Sequence, residues 1–175
     1  MQSVQPLESQ FIAWLREHSN ILLKIARSFA TEAAEQADLF QDMAIELWRS
    51  MPNFKGQSKP STWIYRVCLN TAHTWRRSEQ KRRQLQSPLD LVPELSCSSP
   101  LPGRLQEEAE IMQRLYQEVR ALPVAERSLV VLLLDGLSYR EIGEITGLTE
   151  NHVGVALTRT RKKLSESLKE VRREF

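Results

Sequence analysis

Residues 137–163, LSYREIGEITGLTENHVGVALTRTRKK, decide the fold of the C-terminal half of the chain. Ser138 and Glu141 have the spacing of a capping box, in which each side chain bonds a free backbone N–H at the start of a helix. Gly147 is the residue type that ends a helix in a left-handed turn, and Thr149 can cap the next helix. The stretch is therefore predicted to form two short helices joined by a tight turn.

Apolar residues set the angle between these two helices. Ile142 and Ile145 give the first helix a buried stripe, while Leu148 and Val153 occupy the staple positions at the start of the second. In a helix-turn-helix this angle lets the second helix lie in the major groove of DNA, and here that helix is basic. The alternative is an ordinary helical hairpin inside a bundle.

The charge of the chain is unevenly distributed. The 175 residues are 41% hydrophobic, enough for one ordinary domain or two small ones, and carry a net charge of only +2. Residues 61–83 carry six Lys or Arg against one acid and residues 149–173 carry seven against three, whereas residues 84–126 carry three against seven. Two separate basic segments predict two contacts with polyanions, with solvated helix faces as the alternative.

Cysteine and histidine usage argues against a metal site. Cys68 and Cys97 form no CxxC pair and the histidines lack ligand spacing, so we expect no zinc, no disulfide and no cofactor, as in a reducing cytoplasm. The N-terminus lacks the regions of a signal peptide, and the longest apolar run, Leu129 to Leu134, is too short to span a bilayer. We expect a cytoplasmic protein without direct membrane insertion.

Helical periodicity and scarce glycine predict an all-α protein. The expected helices cover 8–30 (as one helix or two), 31–50, 61–83, 105–121, 123–134, 138–146 and 150–170, with a loop at 51–60. Residues 84–104 contain four prolines and four serines, and prolines at this density break helices. The predicted architecture is two small helical domains, 1–83 and 105–175, joined by a flexible linker at 84–104.

One face of the expected helix 31–50 is polar and partly acidic. It is formed by Asp38, Gln41, Asp42, Ile45 and Arg49, which share helical spacing, while Leu39, Phe40, Met43, Leu47 and Trp48 cover the rest. This pattern is typical of a solvated surface. The alternative is a docking face for a basic partner.

Aromatic and basic side chains are interleaved along the expected helix 61–83. Its predicted outward face carries Trp63, Tyr65, Arg66, Asn70, His73, Thr74 and Arg77. Basic groups neutralise phosphates, aromatic faces stack on unpaired bases, and Asn can bond a base edge. The adjacent 51–60 loop could hold a base flipped out of a duplex. Core packing is the alternative for each aromatic residue, and we favour it for Trp75.

Three ordered stretches resemble bacterial RNA polymerase sigma factors. They are ADLFQDMAIELW at 37–48, STWIYRVCLNTAHTWRR at 61–77 and LPVAERSLVVLLLDGLSYREIGEITGLTENHVGVALTRTRKKL at 122–164. The similarity covers about residues 8–83 and 105–170. More narrowly, the chain resembles the small extracytoplasmic-function (ECF) group, which keeps only domains 2 and 4. It implies sigma domain 2 at 1–83 and sigma domain 4 at 105–175.

The resemblance implies a transcription-initiation factor that is not an enzyme. The implied partners are core RNA polymerase, promoter DNA and an anti-sigma factor. Core polymerase would contact Asp38, Leu39, Gln41 and Asp42. The −10 element would be read and melted by the 51–60 loop with Trp63, Arg66, Asn70, Arg76 and Arg77. The −35 duplex would be read by Asn151, Val155, Thr158, Arg159 and Lys162.

The expected recognition helix departs from the family pattern. The family often has Thr-Val-Lys-Ser-Arg where residues 152–156 read His-Val-Gly-Val-Ala. Base reading there must be altered, for example by contact of Val155 with a thymine methyl, whereas Arg159 and Lys162 retain phosphate anchoring. His73 stands where the family often has Asp, and no base-specific role is assigned to it.

Two other classes of protein remain as alternatives. A stand-alone helix-turn-helix regulator would bind duplex DNA as a dimer and would need neither the Asp38–Asp42 face nor the aromatic and basic helix. A nuclease would need clustered carboxylates or a metal site, and beyond the Asp38 and Asp42 pair the sequence offers none.

Overall fold

The computed structural model describes the backbone of residues 4–85 and 103–173, and the side chains of 7–85 and 109–166. In this part of the chain there are seven α-helices and no strand, which confirms the all-α prediction. The helices are α1 Val4–Phe29, α2 Ala33–Ser50, α3 Pro60–Leu85, α4 Gly103–Ala121, α5 Val124–Leu134, α6 Tyr139–Thr146 and α7 Glu150–Arg173. A 3-10 turn, Met51–Asn53, follows α2.

The bounds of two predicted segments differ from the structure. The segment 8–30, left open as one helix or two, is one continuous helix. The predicted linker 84–104 is shorter, because residues 84–85 belong to α3 and residues 103–104 to α4. Helix α3 can continue to Leu85 because the first proline of the predicted linker is Pro88. The rest of the predicted linker lies outside the described residues.

The N-terminal half is a bundle of α1, α2 and α3. Each helix contributes an apolar stripe whose side chains are completely or almost completely buried: Leu22, Ile25 and Phe29 from α1, Leu39, Met43 and Leu47 from α2, and Ile64, Cys68 and Ala72 from α3. Burial of such side chains is worth about 1.5–3 kcal/mol each. It also raises the pKa of the Cys68 thiol to about 12. The bundle holds the outer faces of α2 and α3 at fixed positions.

The C-terminal half has its own apolar stripes. Val119 of α4, Leu132 of α5, Ile142 of α6, and Val153 and Leu157 of α7 are fully buried. The two staple residues of the predicted helix-turn-helix lie as expected, since Val153 is buried and Leu148 packs against the core. This packing fixes the direction in which α7 leaves the turn.

The two halves pack against each other. α3 contacts α6, and α1 contacts α4 and α5. Arg127 of α5 lies at the centre of this contact, 3% exposed, with its guanidinium carbon 5.1 Å from the centroid of the Phe29 ring. Burial, together with the neighbouring Arg76 and Arg120, lowers the pKa of Arg127 to about 10. Its guanidinium donates to the Leu122 carbonyl at 3.0 Å, which satisfies part of the buried charge.

Candidate nucleic-acid interface

The turn between α6 and α7 has the predicted helix-turn-helix geometry. The Glu141 N–H donates to Ser138 Oγ at 3.3 Å and the Ser138 N–H donates to Glu141 Oε2 at 3.0 Å, which completes the capping box. The Ser138 N–H and hydroxyl both donate to the Glu141 carboxylate, and with a further bond from Lys59 they lower the pKa of Glu141 to about 2. Gly147 has φ +77° in the left-handed region, and Thr149 Oγ1 accepts from the His152 N–H at 3.3 Å.

Gly143 is a structural residue of this motif that sequence reasoning missed. A Cβ at position 143 would lie 2.6 Å from the Leu148 carbonyl oxygen. Real Cβ atoms do not approach oxygen so closely, so only glycine lets the turn fold back onto α6. The signal that could have found it is a glycine in the interior of an otherwise amphipathic helix.

The predicted −35-reading residues share the exposed face of α7. Asn151, Val155, Thr158, Arg159 and Lys162 are all exposed, whereas Val153, Leu157 and Thr160 face the core. The Thr158 hydroxyl donates to the Gly154 carbonyl at 2.8 Å, so its hydrogen is already bonded to the helix. The face therefore combines an apolar side chain, an amide and two cations along one helix.

The residues predicted on the outward face of α3 have unequal exposure. Arg66, Asn70 and Arg77 are exposed, while Trp63, His73 and Arg76 are half-buried. Tyr65 was expected to face outward, but this prediction is wrong: its side chain is 6% exposed. The reason is that the C-terminal half covers this position, where the Tyr65 hydroxyl donates to Asp135 Oδ2 at 2.6 Å. Burial and this carboxylate raise the pKa of Tyr65.

A pocket lies between the 51–60 loop and the start of α3. Its volume is about 390 Å³, and it is lined by Asn53, Phe54, Lys55, Gln57, Ser58, Thr62, Trp63, Arg66 and Glu144. The Trp63 ring is 5.6 Å from Phe54, which in turn is 5.0 Å from Trp14. The indole N–H of Trp63 is buried and has no hydrogen-bond partner. The pocket thus offers aromatic surface and two cations, Lys55 and Arg66.

The C-terminal half closes one side of this pocket. Arg66 Nε donates to the Glu144 carbonyl oxygen at 3.1 Å, near the C-terminus of α6. Lys59 Nζ lies 3.1 Å from Glu141 Oε1. Arg66, which lines the pocket, and Lys59, which lies outside its lining, are therefore both engaged by α6.

The α2 residues predicted to contact core polymerase are exposed except for one. Asp38, Gln41 and Asp42 are exposed, but Leu39 is fully buried. The predicted contact of Leu39 with a partner is therefore wrong, because this side chain fills the bundle core. Next to Asp42, the apolar side chains of Ile45 and Trp48 are 47% and 37% exposed. A groove of about 590 Å³ between α2 and α3 is lined by both Asp42 and Asn70, which brings two predicted sites together.

The match to known families follows the two halves of the chain. Residues 14–82 match sigma-70 region 2, and residues 112–164 match sigma-70 region 4. The RNA polymerase sigma factor NccH of Alcaligenes xylosoxydans xylosoxydans is 26% identical over 157 residues, covering 88% of this chain and 84% of the relative. The ECF RNA polymerase sigma-E factor of Escherichia coli K12 is 29% identical over 139 residues, covering 75% and 72%.

The chain belongs to the ECF sigma factors of the sigma-70 family, and it acts in transcription initiation by RNA polymerase. Two solved structures share its fold. CnrH, in complex with the cytosolic domain of CnrY, matches with a TM-score of 0.67 and 21% identity over 93% of this chain and 90% of CnrH. RpoE from Bartonella quintana, in complex with the anti-sigma factor NepR, matches with a TM-score of 0.70 and 20% identity over 95% and 98%.

Among the helices that the structure describes, none is long and apolar enough to cross a membrane. Over the same residues, no group of three His, Cys, Asp or Glu side chains is arranged to hold a metal ion.

Proposed function

We propose that this sigma factor reads the −35 element as duplex with α7 and captures unpaired bases of the −10 element with α3 and the 51–60 loop. Residues 1–83 would serve as domain 2 and residues 105–175 as domain 4, with 84–104 threading into the polymerase. The observation that carries the proposal is the pocket at Trp63, where a buried, unpaired N–H lies beside aromatic surface.

The chemistry of the pocket suits an unpaired base. A base needs a π-face to stack on and donors for its ring nitrogens and carbonyls, and stacking is worth about 1–3 kcal/mol per base. Trp63 and Phe54 supply the aromatic surface, and the Trp63 N–H, which is buried without a partner here, would supply a donor once DNA entry exposes it. Arg66 and Lys55 at the rim would neutralise the adjoining phosphates.

The exposed side of α3 would hold the strand that leads into the pocket. Asn70 is exposed and lies one helical turn beyond Arg66, so that it can bond a base edge while Arg66 binds the backbone. Arg76 and Arg77 extend the same basic surface toward the C-terminal end of the helix. The contacts of α6 with Arg66 and Lys59 must break before DNA enters, so base capture requires the two halves to separate.

The face of α2 formed by Asp38, Gln41 and Asp42 would dock on core polymerase. All three side chains are exposed, and the neighbouring Ile45 and Trp48 add apolar surface. An acidic rim beside an exposed apolar centre is the usual composition of a protein-protein interface. Because Asp42 shares a groove with Asn70, polymerase docked here would lie directly beside the −10 strand.

An anti-sigma factor is the further partner that we propose. Both solved neighbours are described as complexes, CnrH with CnrY and RpoE with the anti-sigma factor NepR. A partner that keeps the two halves of this chain together would keep the pocket at Trp63 closed. The proposal includes a cytoplasmic location, where polymerase works.

The experiment is permanganate footprinting of open complexes formed by core polymerase with the full chain. Asn70→Ala and Trp63→Ala should reduce thymine reactivity in the melted region more than they reduce duplex binding. Gln80→Ala, an exposed amide further along α3, is the matched control and should leave reactivity unchanged. Normal reactivity of both variants would contradict capture by α3. A palindromic footprint made without polymerase would instead indicate a stand-alone regulator.

A further inference from the structure

Tyr139 and Gly154 pack closely at the exposed end of the helix-turn-helix. A Cβ at position 154 would lie 3.4 Å from Cε2 and 3.5 Å from Cδ2 of the Tyr139 ring, which are ordinary contact distances. The ring of Tyr139, the first residue of α6, therefore lies against the part of α7 that carries Gly154.

The ring and the glycine form one side of a shallow apolar depression. Val155, 44% exposed, forms the other, and the depression is edged by Glu150, Asn151, Thr158 and Arg159. Neither position 154 nor position 155 carries a side-chain hydrogen-bonding group, and the hydrogen of the Thr158 hydroxyl is bonded to the Gly154 carbonyl. The middle of the reading face thus has no polar side chain of its own.

Only one group in the major groove suits such a surface. Each base pair presents donors and acceptors there, but thymine alone presents an apolar group, its C5-methyl. We propose that Tyr139, Gly154 and Val155 form a thymine-methyl-reading patch, in which Val155 contacts the methyl and the Tyr139 ring, packed beside Gly154, completes the contact. This makes Tyr139 a specificity-determining residue outside the recognition helix. The inference rests on the proposed function, in that α7 must lie in the major groove.

The competing role for Tyr139 is a hydroxyl bond to a phosphate, because the first helix of a helix-turn-helix crosses the DNA backbone. The two roles differ in which part of the side chain matters. The patch needs the ring and not the hydroxyl, whereas a phosphate contact needs the hydroxyl. The ring is half-buried against the core and against Gly154, which favours the role of the ring.

The test uses the full chain bound to core polymerase. Duplexes with a randomised upstream segment are enriched for binding, and each thymine of the enriched element is then replaced by deoxyuridine, which removes only the methyl. Wild-type affinity should fall about fourfold for each methyl that the patch buries. Val155→Ser and Tyr139→Ala should bind both duplexes equally. Gly154→Ala should keep the thymine preference, because the new methyl meets the Tyr139 ring at an ordinary contact distance.

Two controls separate a lost patch from a lost fold. Tyr139→Phe keeps the ring and should keep the thymine preference. His152→Ala alters an exposed residue of α7 outside the depression and should do the same. The decisive value is the ratio of the affinities for the thymine and deoxyuridine duplexes, since a merely destabilised variant loses both affinities together.

Three results would overturn the inference. Equal wild-type affinity for thymine and deoxyuridine duplexes, with an upstream element still enriched, would refute methyl reading and leave the proposed function standing. Loss of affinity in Tyr139→Phe that is equal for the thymine and deoxyuridine duplexes would identify a hydroxyl bond to a phosphate instead. Failure to enrich any upstream element would refute duplex reading by α7, and with it both this inference and that part of the proposed function.

Discussion

Trp63 has a buried indole N–H without a hydrogen-bond partner, an arrangement that costs about 1–3 kcal/mol in a folded protein. We therefore expect Trp63→Phe to leave the free energy of unfolding unchanged or to raise it, since the unpaired donor is removed while the aromatic surface remains. The same change should weaken the capture of an unpaired −10 base that accepts this hydrogen bond. Urea denaturation and open-complex lifetime measure the two effects. A stability loss above about 3 kcal/mol would show that the N–H is satisfied.

His73 lies in the contact between the two halves, with Nε2 2.8 Å from Ser128 Oγ and its ring 5.7 Å from Phe29. Burial lowers the pKa of His73, and the charges of Arg77 and Arg127 lower it further. Its neutral form is therefore preferred in the folded protein, and its stabilising contribution is complete above the unperturbed value of about 6.5. That contribution is lost as pH falls from about 6.5 toward the lowered pKa.

We expect the melting temperature to fall between about pH 7.5 and pH 5.5, and His73→Gln to reduce this fall. Calorimetry measures the melting temperatures of the wild type and of His73→Gln across this pH range. His152→Gln, which changes an exposed histidine on α7, is the control and should keep the wild-type slope. Identical slopes for wild type and His73→Gln would contradict the assignment.

Individual residues also show what the sequence can and cannot predict. The capping box at Ser138 and the left-handed Gly147 were predicted correctly, because they depend only on neighbours within a few residues. Leu39 and Tyr65 were misassigned to outer surfaces. A periodic pattern identifies the faces of a helix, but the packing of several other helices decides which face is covered, and for Tyr65 the covering residue is 70 positions away.

The α6–α7 element depends on Gly143 for its close turn. Replacement of glycine by alanine inside a helix normally stabilises it by up to about 1 kcal/mol. Here the added Cβ would meet the Leu148 carbonyl oxygen at 2.6 Å, so we expect Gly143→Ala to lower the free energy of unfolding by about 1–3 kcal/mol and to reduce duplex binding. Urea denaturation compares it with Glu144→Ala, which alters an exposed neighbour. A stabilised Gly143→Ala variant would show that the turn can relax.

The α2 element presents Asp42 on the surface that we assign to core polymerase. Because Asp42 is exposed, Asp42→Arg should fold normally but reverse the charge that faces the partner. We expect affinity for core polymerase to fall at least about tenfold, equivalent to about 1.4 kcal/mol. Glu17→Arg makes the same charge change at an exposed position of α1 and should bind normally. The affinities for core polymerase are measured by fluorescence anisotropy. Equal affinities of the two variants would contradict the docking of polymerase on α2.

In the whole molecule, Asp135 joins the two halves. Its carboxylate accepts from Tyr65 of α3 and pairs with Lys24 of α1, and its side chain is 5% exposed. Removal of one partner from such a buried cluster leaves the other groups unsatisfied. We expect Asp135→Ala to open the molecule and to increase its radius of gyration in small-angle X-ray scattering, while helix content by circular dichroism stays the same. Glu46→Ala, which breaks an exposed pair with Arg49, should leave the radius unchanged.

The arrangement of the halves is also where sequence reasoning ends. Two helical units and the order of their motifs were predictable, because each unit has its own apolar stripes. The closure of the pocket at Trp63 by α6 was not, since it depends on contacts such as Arg66 with the Glu144 carbonyl, 78 positions apart. A backbone carbonyl at a helix end has no signature in the amino-acid sequence.

Run-off transcription with purified core polymerase, on fragments of the source genome, tests the central claim most directly. We expect start sites that appear only when this chain is added, that share upstream elements, and that disappear with Asn70→Ala but not with Gln80→Ala. Start sites that are the same with and without the chain would contradict its role as a promoter-specificity subunit.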